Sequence, residues 1–301
     1  MKAEEFSSPL LFEVTMKIAL LTCKELEGYV AYEEHLDRAL EKAGLDFDWI
    51  IWSNWKEVDW KNYDAVIVRT TWDYQKHIDD FMQAMKEISN QTKLFNSYET
   101  IKWNHSKDYL LEFNQTSTKP VPTTEVKIKS SSDIEQLFGN FNSEKIIIKP
   151  FISATAHDTF WLTPDNFNES LDQIIEVNSR KRMMAQPFLS SVVEEGEYSF
   201  HFFNGEFSHA ILKTPKPGDF RSQEEYGSNV QTISPDESML VFAQSVLSHL
   251  NEKLLYARVD FVRNENEYNL MELELIEPSL YFGYGEGSAD RLVHCLKERL
   301  K

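Results

Sequence analysis

Three acidic residues in the last third of the chain have a spacing that suits a metal site. The segment Tyr268–Ile276 reads YNLMELELI, and side chains two positions apart on a β-strand point to the same face. Glu272 and Glu274 therefore share one face, while Met271 and its apolar neighbours are predicted to face the core. Because only a short turn separates this strand from the preceding one, Asp260 is expected opposite the two glutamates.

Three carboxylates this close repel one another unless a cation binds between them. Their hard oxygen atoms suit Mg²⁺, which proteins usually hold with a few carboxylates and the phosphates of a nucleotide. The pattern of Asp260, Glu272 and Glu274 therefore predicts a site for Mg²⁺, or for Mn²⁺ in its place. The alternative is an ordinary acidic strand face that water solvates.

Two lysines lie upstream at places where a phosphate group could bind. Lys149 ends the apolar strand KIIIKP and is followed by Pro150, and Lys107 stands at the start of a helix in WNHSKDYLLEF. Either one alone would be interpreted as a surface lysine. Together, and upstream of the carboxylates, they predict the positive charge that the phosphates of ATP require in an acidic protein.

The composition limits the classes of partner. The 301 residues carry a formal net charge of -18, so nucleic acid would be repelled over most of the surface, and we predict small-molecule substrates instead. Cys23 and Cys295 lack the spacing of a disulfide framework or a zinc site. Residues 1–15 are acidic rather than basic, and we interpret them as an extension and not as a signal peptide. Because no apolar run approaches about 20 residues, we expect no membrane partner and a cytoplasmic location.

The elements that must position these residues fall into three units. Near the N-terminus, strand-like and helical runs alternate, which is typical of an α/β domain with a parallel sheet. This first domain is predicted to span residues 16–99. Its predicted strands are Lys17–Thr22, Phe47–Trp52, Ala65–Thr71 and Leu94–Asn96.

The other two units are predicted to be α+β. The prolines of KPVPTT at 119–124 interrupt any helix and mark the entry into a central subdomain, 100–189. The last subdomain, 190–301, is predicted to be antiparallel, because Asn204-Gly205 is a strong hairpin signal between two strands. A loop rich in proline, glycine and charge is predicted at 215–234.

The segment RTTWDY, residues 69–74, comes at the carboxyl end of the predicted strand Ala65–Thr71, which begins AVIVR. The carboxyl ends of parallel strands face the crevice in which α/β domains bind ligands. We therefore predict that Arg69 pairs with a substrate carboxylate and Asp73 with a substrate amine. Thr70 and Trp72 are predicted to line the same pocket. The alternative is that the aromatic residues only pack the domain interface.

The order of these motifs over residues 16–300 resembles that of the ATP-grasp superfamily, in particular bacterial glutathione synthetase and the ATP-grasp cyclo-ligase of cycloserine biosynthesis. The resemblance implies a nucleotide held between two α+β subdomains. It also implies that ATP phosphorylates a carboxylate and that a nucleophile attacks the resulting acyl phosphate. Members of the superfamily often form dimers, so the resemblance is compatible with a homodimer.

The resemblance also implies roles for individual residues. The residues that resemble the two phosphate-binding lysines are Lys107 and Lys149. The residues that match the metal ligands are Asp260, Glu272 and Glu274. The residues that resemble the adenine-binding segment and an acidic residue beside the nucleotide are Gln186, Phe188, Leu189 and Glu197. The residues that resemble two basic groups at the reacting phosphate are Lys213 and Arg221, of which Arg221 is the sharper catalytic candidate.

The chain departs from glutathione synthetase at three places. Where those enzymes have a glycine-rich loop after the second lysine, this chain reads FISATAHDTF, and the hydroxyl groups of Ser153 and Thr155 are predicted to donate to phosphate oxygens. Ser199 stands where those enzymes have an arginine, and Glu274 where they have an asparagine. The resemblance therefore does not carry over the substrate.

These observations predict an ATP-dependent, ADP-forming ligase that joins a carboxylate to an amine through an acyl phosphate. The substrate is predicted to be small and amino-acid-like, or a peptide. Two alternatives stay open at this point. One is an intramolecular cyclo-ligase of the same fold, and the other is a nucleotide-binding regulatory module without catalysis.

Overall fold

The computed structural model describes residues 16–116, 118–153 and 156–301, which form three sheets. The elements of the first region are β1 (Lys17–Thr22), α1 (Glu34–Lys42), β2 (Asp46–Ile51), β3 (Ala65–Thr70), α2 (Ile78–Ser89) and β4 (Lys93–Phe95). All neighbouring strands in its sheet are parallel, in the order β2-β1-β3-β4. The parallel sheet confirms the prediction from alternating strands and helices.

The inner strands β1 and β3 are apolar because helices cover both faces of the sheet. On one face, Ile18 and Ile67 pack with residues of α1 and of the C-terminal helix. On the other face, Val66 and Val68 pack with residues of α2. Every residue of β3 is buried, and the strand ends at Thr70, so the carboxyl end of the sheet lies at the predicted crevice.

The second region carries a four-stranded antiparallel sheet. Its elements are α3 (Tyr98–Asn104), α4 (Tyr109–Phe113), β5 (Thr124–Val126), α5 (Ser131–Phe141), β6 (Ile146–Pro150), β7 (Phe160–Leu162), α6 (Phe167–Arg180) and β8 (Met183–Pro187). The strand order is β5-β8-β6-β7. Ile146 and Ile148 pack into a core with residues of α5 and α6, so strand alternation turns Ile147 and Lys149 to the opposite face.

The third region carries an antiparallel sheet of five strands, β9 to β13. Its elements are α7 (Ser191–Glu194), β9 (Glu197–Phe203), β10 (Glu206–Thr214), β11 (Asn229–Ile233), α8 (Glu237–Leu247), β12 (Tyr256–Asn264), β13 (Glu267–Glu274) and α9 (Ser288–Leu300). The strand order is β11-β10-β9-β12-β13. The prediction of an uninterrupted loop at 215–234 was wrong for β11, an edge strand whose polar sequence NVQTI gives little strand signal.

Buried polar side chains join the first sheet to the third. The amide nitrogen of Asn96 donates to the carbonyl groups of Tyr256 and Leu275 at 2.9 and 2.8 Å. The Tyr256 hydroxyl lies in turn 2.7 Å from the carbonyl of Val68 and 2.8 Å from that of Ile276, and the two carbonyls share its single proton. Because buried polar groups are costly when unpaired, these bonds hold the carboxyl end of β3 against the end of β13.

The helices are short, and the longest of those described, α6, has 14 residues. They are mostly amphipathic, with buried residues on the side that packs against a sheet. Within the described ranges, none combines the length and the apolar character that crossing a membrane requires.

Candidate active site

A cleft lies between the three sheets and encloses about 250 Å³. The predicted site residues that line it are Trp72, Lys107, Lys149, Ser153, Gln186, Phe188, Leu189, Glu197, Lys213, Arg221, Asp260, Glu272 and Glu274. Three other predicted residues, Arg69, Thr70 and Asp73, do not line it. Thr155 lies outside the described residues. The cleft therefore brings together most of the predicted nucleotide, metal and phosphate contacts.

The hairpin of β12 and β13 places the three predicted metal ligands side by side. Asp260 lies directly opposite Glu272 in the strand register. One carboxylate oxygen from each of Asp260, Glu272 and Glu274 lies within 4.8 Å of the other two. This separation is close to the span of the coordination shell of a divalent cation, so the hairpin alone positions a hard oxygen donor set.

A register shift in this hairpin corrects one detail of the predicted strand. The pairing slips by one residue after Asp260, so that Phe261 pairs with Leu270. As a result Leu270 packs in the core, and Met271, which was predicted to face the core, lines the cleft. Strict alternation could not reveal the shift, because a β-bulge adds one residue to one strand.

Arg258 is a cleft residue that the sequence analysis missed. It precedes Asp260 by two residues on the same strand face, and its Nη2 atom lies 2.8 Å from the Asp260 carboxylate and also pairs with Glu274. Its Nη1 atom donates to the carbonyl of Ser279 at 3.2 Å. The two-residue spacing in RVD was the available signal. This guanidinium offsets part of the repulsion among the three carboxylates.

Burial and charge act against each other in the carboxylate cluster. Burial raises the pKa of Glu274 to about 8, with the neighbouring carboxylates adding to the rise and Arg258 opposing it. Burial would also raise the pKa of Asp260, but Arg258 and Lys213 outweigh it and hold that pKa below its ordinary value. The cluster therefore contains one carboxyl group, on Glu274, that an additional cation would help to ionise.

The two predicted phosphate-binding lysines lie on neighbouring walls of the cleft. The Lys107 ammonium is 3.0 Å from the Glu272 carboxylate and donates to the carbonyl of Ser153 at 2.8 Å. Burial lowers the pKa of Lys149 to about 8, although Glu272 opposes the shift. Both ammonium groups hold the pKa of Glu272 below its ordinary value in spite of its burial. A desolvated lysine of this kind suits an anionic ligand.

The segment that follows β8 forms an apolar wall. Phe188 packs near Trp161 with ring centroids 5.6 Å apart, and its backbone N–H donates to the carbonyl of Lys145 at 2.9 Å. The buried side-chain amide of Gln186 donates to the Thr123 hydroxyl at 2.9 Å. These bonds fix the segment, and the apolar side chains of Phe188 and Leu189 line the cleft, where they suit contact with a planar base.

Glu197 and Lys213 form a buried ion pair across β9 and β10. The ammonium lies 2.5 Å from the Glu197 carboxylate and 3.8 Å from that of Asp260. Burial would lower the pKa of Lys213, but Asp260 and Glu197 raise it above its ordinary value. Lys213 is therefore a fixed cation at the edge of the carboxylate cluster.

Arg221 lies on the segment 215–228, between β10 and β11, which borders the cleft. Its Nη2 atom lies 2.6 Å from the Asp219 carboxylate, and its guanidinium lies 3.7 Å from the ring centroid of Tyr226. Two partners thus orient the guanidinium from one side. The predicted catalytic cation is in place at the cleft, and it already carries a counter-charge.

The structure places Arg69 outside the cleft. Its side chain is fully buried, its Nη2 atom lies 2.6 Å from the Glu33 carboxylate, and it donates to the carbonyl of Pro278 at 3.2 Å. The predicted pairing with a substrate carboxylate does not fit this position, because no part of the guanidinium reaches the cavity. Arg69 instead joins the end of β3 to the chain that follows β13.

Two other residues of RTTWDY are also engaged elsewhere. The Thr70 hydroxyl donates to that of Thr22 at 2.7 Å, and Asp73 accepts a hydrogen bond from the Trp52 indole at 2.5 Å. The predicted role of Asp73 in binding a substrate amine does not fit this contact. Trp72 lines the cleft as predicted, and its indole N–H donates to the carbonyl of Glu277 at 2.8 Å.

Several further cleft residues come from turns rather than from regular elements. Those that the sequence analysis did not select include Tyr29, Glu277, Ser279 and Tyr281. Turn residues have no periodicity that could have indicated which side chains face a cavity. They nevertheless form the wall that the N-terminal sheet and the chain after β13 contribute together.

Comparison with protein families assigns this architecture. Residues 107–279, more than half of the chain, match the family described as prokaryotic glutathione synthetase, ATP-grasp domain. Residues 18–96 match the N-terminal domain of D-cycloserine synthetase DcsG. The two matches together include the β12–β13 hairpin, both predicted phosphate-binding lysines and the parallel sheet.

Individual relatives agree with the family match. Cycloserine biosynthesis protein DcsG of Streptomyces lavendulae is 25% identical over 267 residues, which cover 82% of this chain and 88% of that protein. The crystal structure of D-cycloserine synthetase DcsG has a TM-score of 0.84 at 24% identity, covering 95% of this chain and 100% of the other. D-alanine–D-alanine ligase from Bacillus anthracis has a TM-score of 0.69 at 11% identity, with 95% and 97% covered. The chain therefore belongs to the prokaryotic glutathione synthetase ATP-grasp family and is an ATP-dependent, ADP-forming ligase.

Proposed function

We propose that the protein joins a carboxylate to an amine by way of an acyl phosphate, and that its substrate is small and amino-acid-like, or a peptide. The observation that carries the proposal is the convergence of three carboxylates with cationic side chains in one cleft. An ionised carboxylate is a poor acyl donor, and phosphorylation supplies it with a good leaving group. Catalysis then consists largely of positioning and charge neutralisation.

The proposed reaction has two chemical steps. In the first, a carboxylate oxygen of the substrate bonds to the γ-phosphorus of ATP, the bond from that phosphorus to the β,γ-bridging oxygen breaks, and ADP leaves. In the second, the amine nitrogen bonds to the acyl carbon and the bond to the phosphorylated oxygen breaks. Inorganic phosphate leaves, and the nitrogen loses one proton to a base or to water.

Asp260, Glu272 and Glu274 fit a divalent cation by donor type and by spacing. Their oxygen atoms lie within 4.8 Å of one another, and the pKa of Glu274, raised by burial to about 8, indicates a cluster short of positive charge. We propose Mg²⁺ for this site, with Mn²⁺ as an alternative. The cation would supply positive charge to the phosphates of ATP.

The remaining cleft residues are proposed to contact different parts of ATP. Lys107 and Lys149 provide ammonium groups for the phosphates of ATP, with Ser153 beside Lys107. The wall proposed to contact adenine consists of Gln186, Phe188 and Leu189, and Glu197 is proposed to face the nucleotide. Arg221 is proposed to neutralise charge on the phosphoryl group in transit, and Lys213 provides a fixed positive field beside Asp260.

A cyclising ligation is the second candidate. One observation favours it: the similarity to D-cycloserine synthetase extends over the N-terminal sheet as well as the ATP-grasp region. That sheet contributes Trp72 to the cleft, so the likeness includes part of the wall that a substrate would contact. In this variant the attacking nitrogen belongs to the same molecule as the activated carboxylate.

The test is an assay for ATP-dependent hydroxamate formation. Hydroxylamine replaces the amine and traps an acyl phosphate, and amino acids of both hands, their dipeptides and simple carboxylic acids are supplied with Mg-ATP. We expect hydroxamate and ADP in equal amounts from at least one acid. Glu272→Gln keeps the shape of a proposed ligand but removes its charge, and it should reduce the rate by roughly 100-fold or more.

Glu267→Gln is the matched control, because Glu267 lies on the same strand at its exposed end and pairs with Lys119. This variant should keep the wild-type rate. ADP release without hydroxamate from any acid would contradict the acyl phosphate. An unchanged rate and metal dependence in Glu272→Gln would contradict the metal assignment.

A further inference from the structure

Residues 276–280, which follow β13, form a segment that we call the strap. Hydrogen bonds from side chains to its backbone carbonyl groups hold it in place. All five consecutive carbonyl oxygens accept a hydrogen bond from a side chain. The Ile276 carbonyl lies 2.8 Å from the Tyr256 hydroxyl, whose single proton it shares with the carbonyl of Val68. From Glu277 to Leu280 the donors are the Trp72 indole (2.8 Å), Arg69 Nη2 (3.2 Å), Arg258 Nη1 (3.2 Å) and His209 Nε2 (2.9 Å). A backbone held this way fixes the two strap side chains that line the cleft, Glu277 and Ser279.

Glu277 is a cleft carboxylate without a counter-ion. Among the described residues it has no ion pair, whereas Glu272 pairs with Lys107 and Glu274 pairs with Arg258. Nor does it belong to the group of three carboxylates that lie within 4.8 Å of one another. Burial raises the pKa of Glu277 to about 7, although the Lys107 ammonium opposes the shift, as expected for a desolvated carboxyl group without a directly paired cation.

Ser279, two residues further along the strap, has a second unsatisfied group. Its hydroxyl oxygen is buried and has no hydrogen-bond partner in the part of the chain that the structure describes. Such groups are rare in folded proteins, since they lose their bonds to water without replacement. A ligand in the cleft that offers a donor would satisfy it.

Aromatic residues of the N-terminal sheet enclose this part of the cleft. The rings of Tyr29 and Trp72 lie 5.2 Å apart at 51°, and both line the cavity. The Tyr74 hydroxyl interacts with the Glu277 carboxylate from the same side. Aromatic faces attract cations, and they exclude water that would otherwise solvate the carboxylate.

We infer that Glu277 and Ser279 bind the ammonium group of the acyl substrate, with Trp72 and Tyr29 as its walls. An ammonium group supplies the missing counter-charge to Glu277, donates to the Ser279 hydroxyl and suits the aromatic faces. The inference rests on the proposed function, in which the carboxylate of the same molecule is activated at the β12–β13 hairpin. It makes the substrate an amino acid or a peptide with a free amino group, rather than a simple carboxylic acid.

The experiment measures binding and does not require turnover. The full-length protein, saturated with Mg²⁺ and a non-hydrolysable ATP analogue, is titrated by calorimetry with pairs of acids that differ only at one group. The probes are alanine and serine of both hands, against lactate and glycerate of both hands. We expect at least one amino acid to bind roughly 10- to 100-fold more tightly than its hydroxy acid.

Three variants assign that preference. Glu277→Gln should abolish the preference for the amino group, while Glu277→Asp should retain part of it because the charge is kept. Glu286→Gln, an exposed change outside the cleft that removes the same charge, should leave the preference at its wild-type value. The affinity for the nucleotide analogue should be equal in all four proteins.

The inference is overturned if amino and hydroxy acids bind equally, if no amino acid binds the nucleotide-loaded protein, or if the preference survives in Glu277→Gln. It is also overturned if Glu277→Gln weakens nucleotide or Mg²⁺ binding instead, since Glu277 would then belong to the metal site. Failure of the proposed function is a separate result, because it would appear as absence of hydroxamate in the trapping assay.

Discussion

The β12–β13 hairpin and the RTTWDY segment both combine charged with apolar residues, yet only the hairpin turns its charged side chains toward the cleft. In the hairpin, Asp260, Glu272 and Glu274 face the cleft together. These carboxylates pair with cations inside the cleft, whereas Arg69 and Asp73 of RTTWDY bind partners outside it. A charge at a strand end therefore does not identify a site by itself.

The difference lies in how far away the partners are along the sequence. Asp260 and Glu272 are paired by a short hairpin, so local geometry decides where both carboxylates point. Arg69 meets Glu33 from a turn before α1 and Pro278 from the strap, and neither neighbour follows from the periodicity of β3. Arg69 thereby supports the strap, which carries Glu277 into the cleft, and acts on the site from outside it.

The largest effect is expected for Arg69→Met, which tests the structural side of the comparison. The change keeps much of the volume and removes the guanidinium, leaving the buried Glu33 without its partner. We expect the free energy of unfolding to fall by about 3–5 kcal/mol, measured by urea denaturation. Adding Glu33→Gln should recover part of the loss, because the unpaired charge is removed. A stable Arg69→Met protein that cannot bind the substrate would instead return Arg69 to the substrate pocket.

Lys149→Met tests a residue proposed to bind the nucleotide, in contrast to the structural role tested by Arg69→Met. Lys149 is partly buried, and burial lowers its pKa to about 8, so removing the charge should leave the free energy of unfolding unchanged or slightly higher. Affinity for Mg-ATP should fall roughly 100-fold, or about 2.7 kcal/mol, measured by calorimetry. Lys145→Met is the control. Lys145 directly precedes β6, the strand that carries Lys149, and its ammonium lies over the Trp161 ring. Full nucleotide affinity in Lys149→Met would remove that lysine from the site.

The parts of the fold that follow a period were predictable from the sequence. The strand Lys17–Thr22 was predicted with its observed bounds, and the parallel order of the first sheet follows from alternation with helices. The clustering of Asp260, Glu272 and Glu274 on the β12–β13 hairpin was predictable for the same reason. Met271 was the exception, because the bulge beside it is set by cross-strand pairing rather than by composition.

The parts of the cleft that depend on turns could not be predicted. Glu277 and Ser279 owe their orientation to five donors that come from three strands and a turn, scattered from Arg69 to Arg258 along the chain. No pattern within the strap encodes those partners. Arg258 differs, since its spacing from Asp260 was visible in RVD and was overlooked.

A smaller effect is expected from pH, through the strap donor His209. Burial lowers the pKa of this imidazole to about 4, below its ordinary value of about 6.5. Between these values the unfolded chain binds a proton that the folded protein does not, so stability is full above pH 6.5 and is lost as the pH falls. We expect this group to remove about 2 kcal/mol between pH 7 and pH 5, measured by urea denaturation at both values.

His209→Gln, whose amide can still donate to the Leu280 carbonyl, should remove that part of the pH dependence. His294→Gln on the exposed face of α9 is the matched surface control. An equally steep loss of stability in His209→Gln would show that other groups cause it, and that the imidazole is not held neutral on the strap.

The smallest effect is expected for Asp73→Asn. This variant tests whether Asp73 has a structural role or contacts the substrate. Asp73 accepts the indole N–H of the buried Trp52, and an amide oxygen can still accept that bond without the charge. We expect a loss of about 1 kcal/mol in the free energy of unfolding and an unchanged Michaelis constant for the acyl substrate. Combining it with Trp52→Phe should give less than the sum of the two losses, because Trp52→Phe removes the hydrogen bond that Asp73→Asn weakens. A Michaelis constant raised tenfold or more, with stability intact, would instead show that Asp73 contacts the substrate. In that case Trp72 would not be the only residue of RTTWDY that contributes to the substrate site.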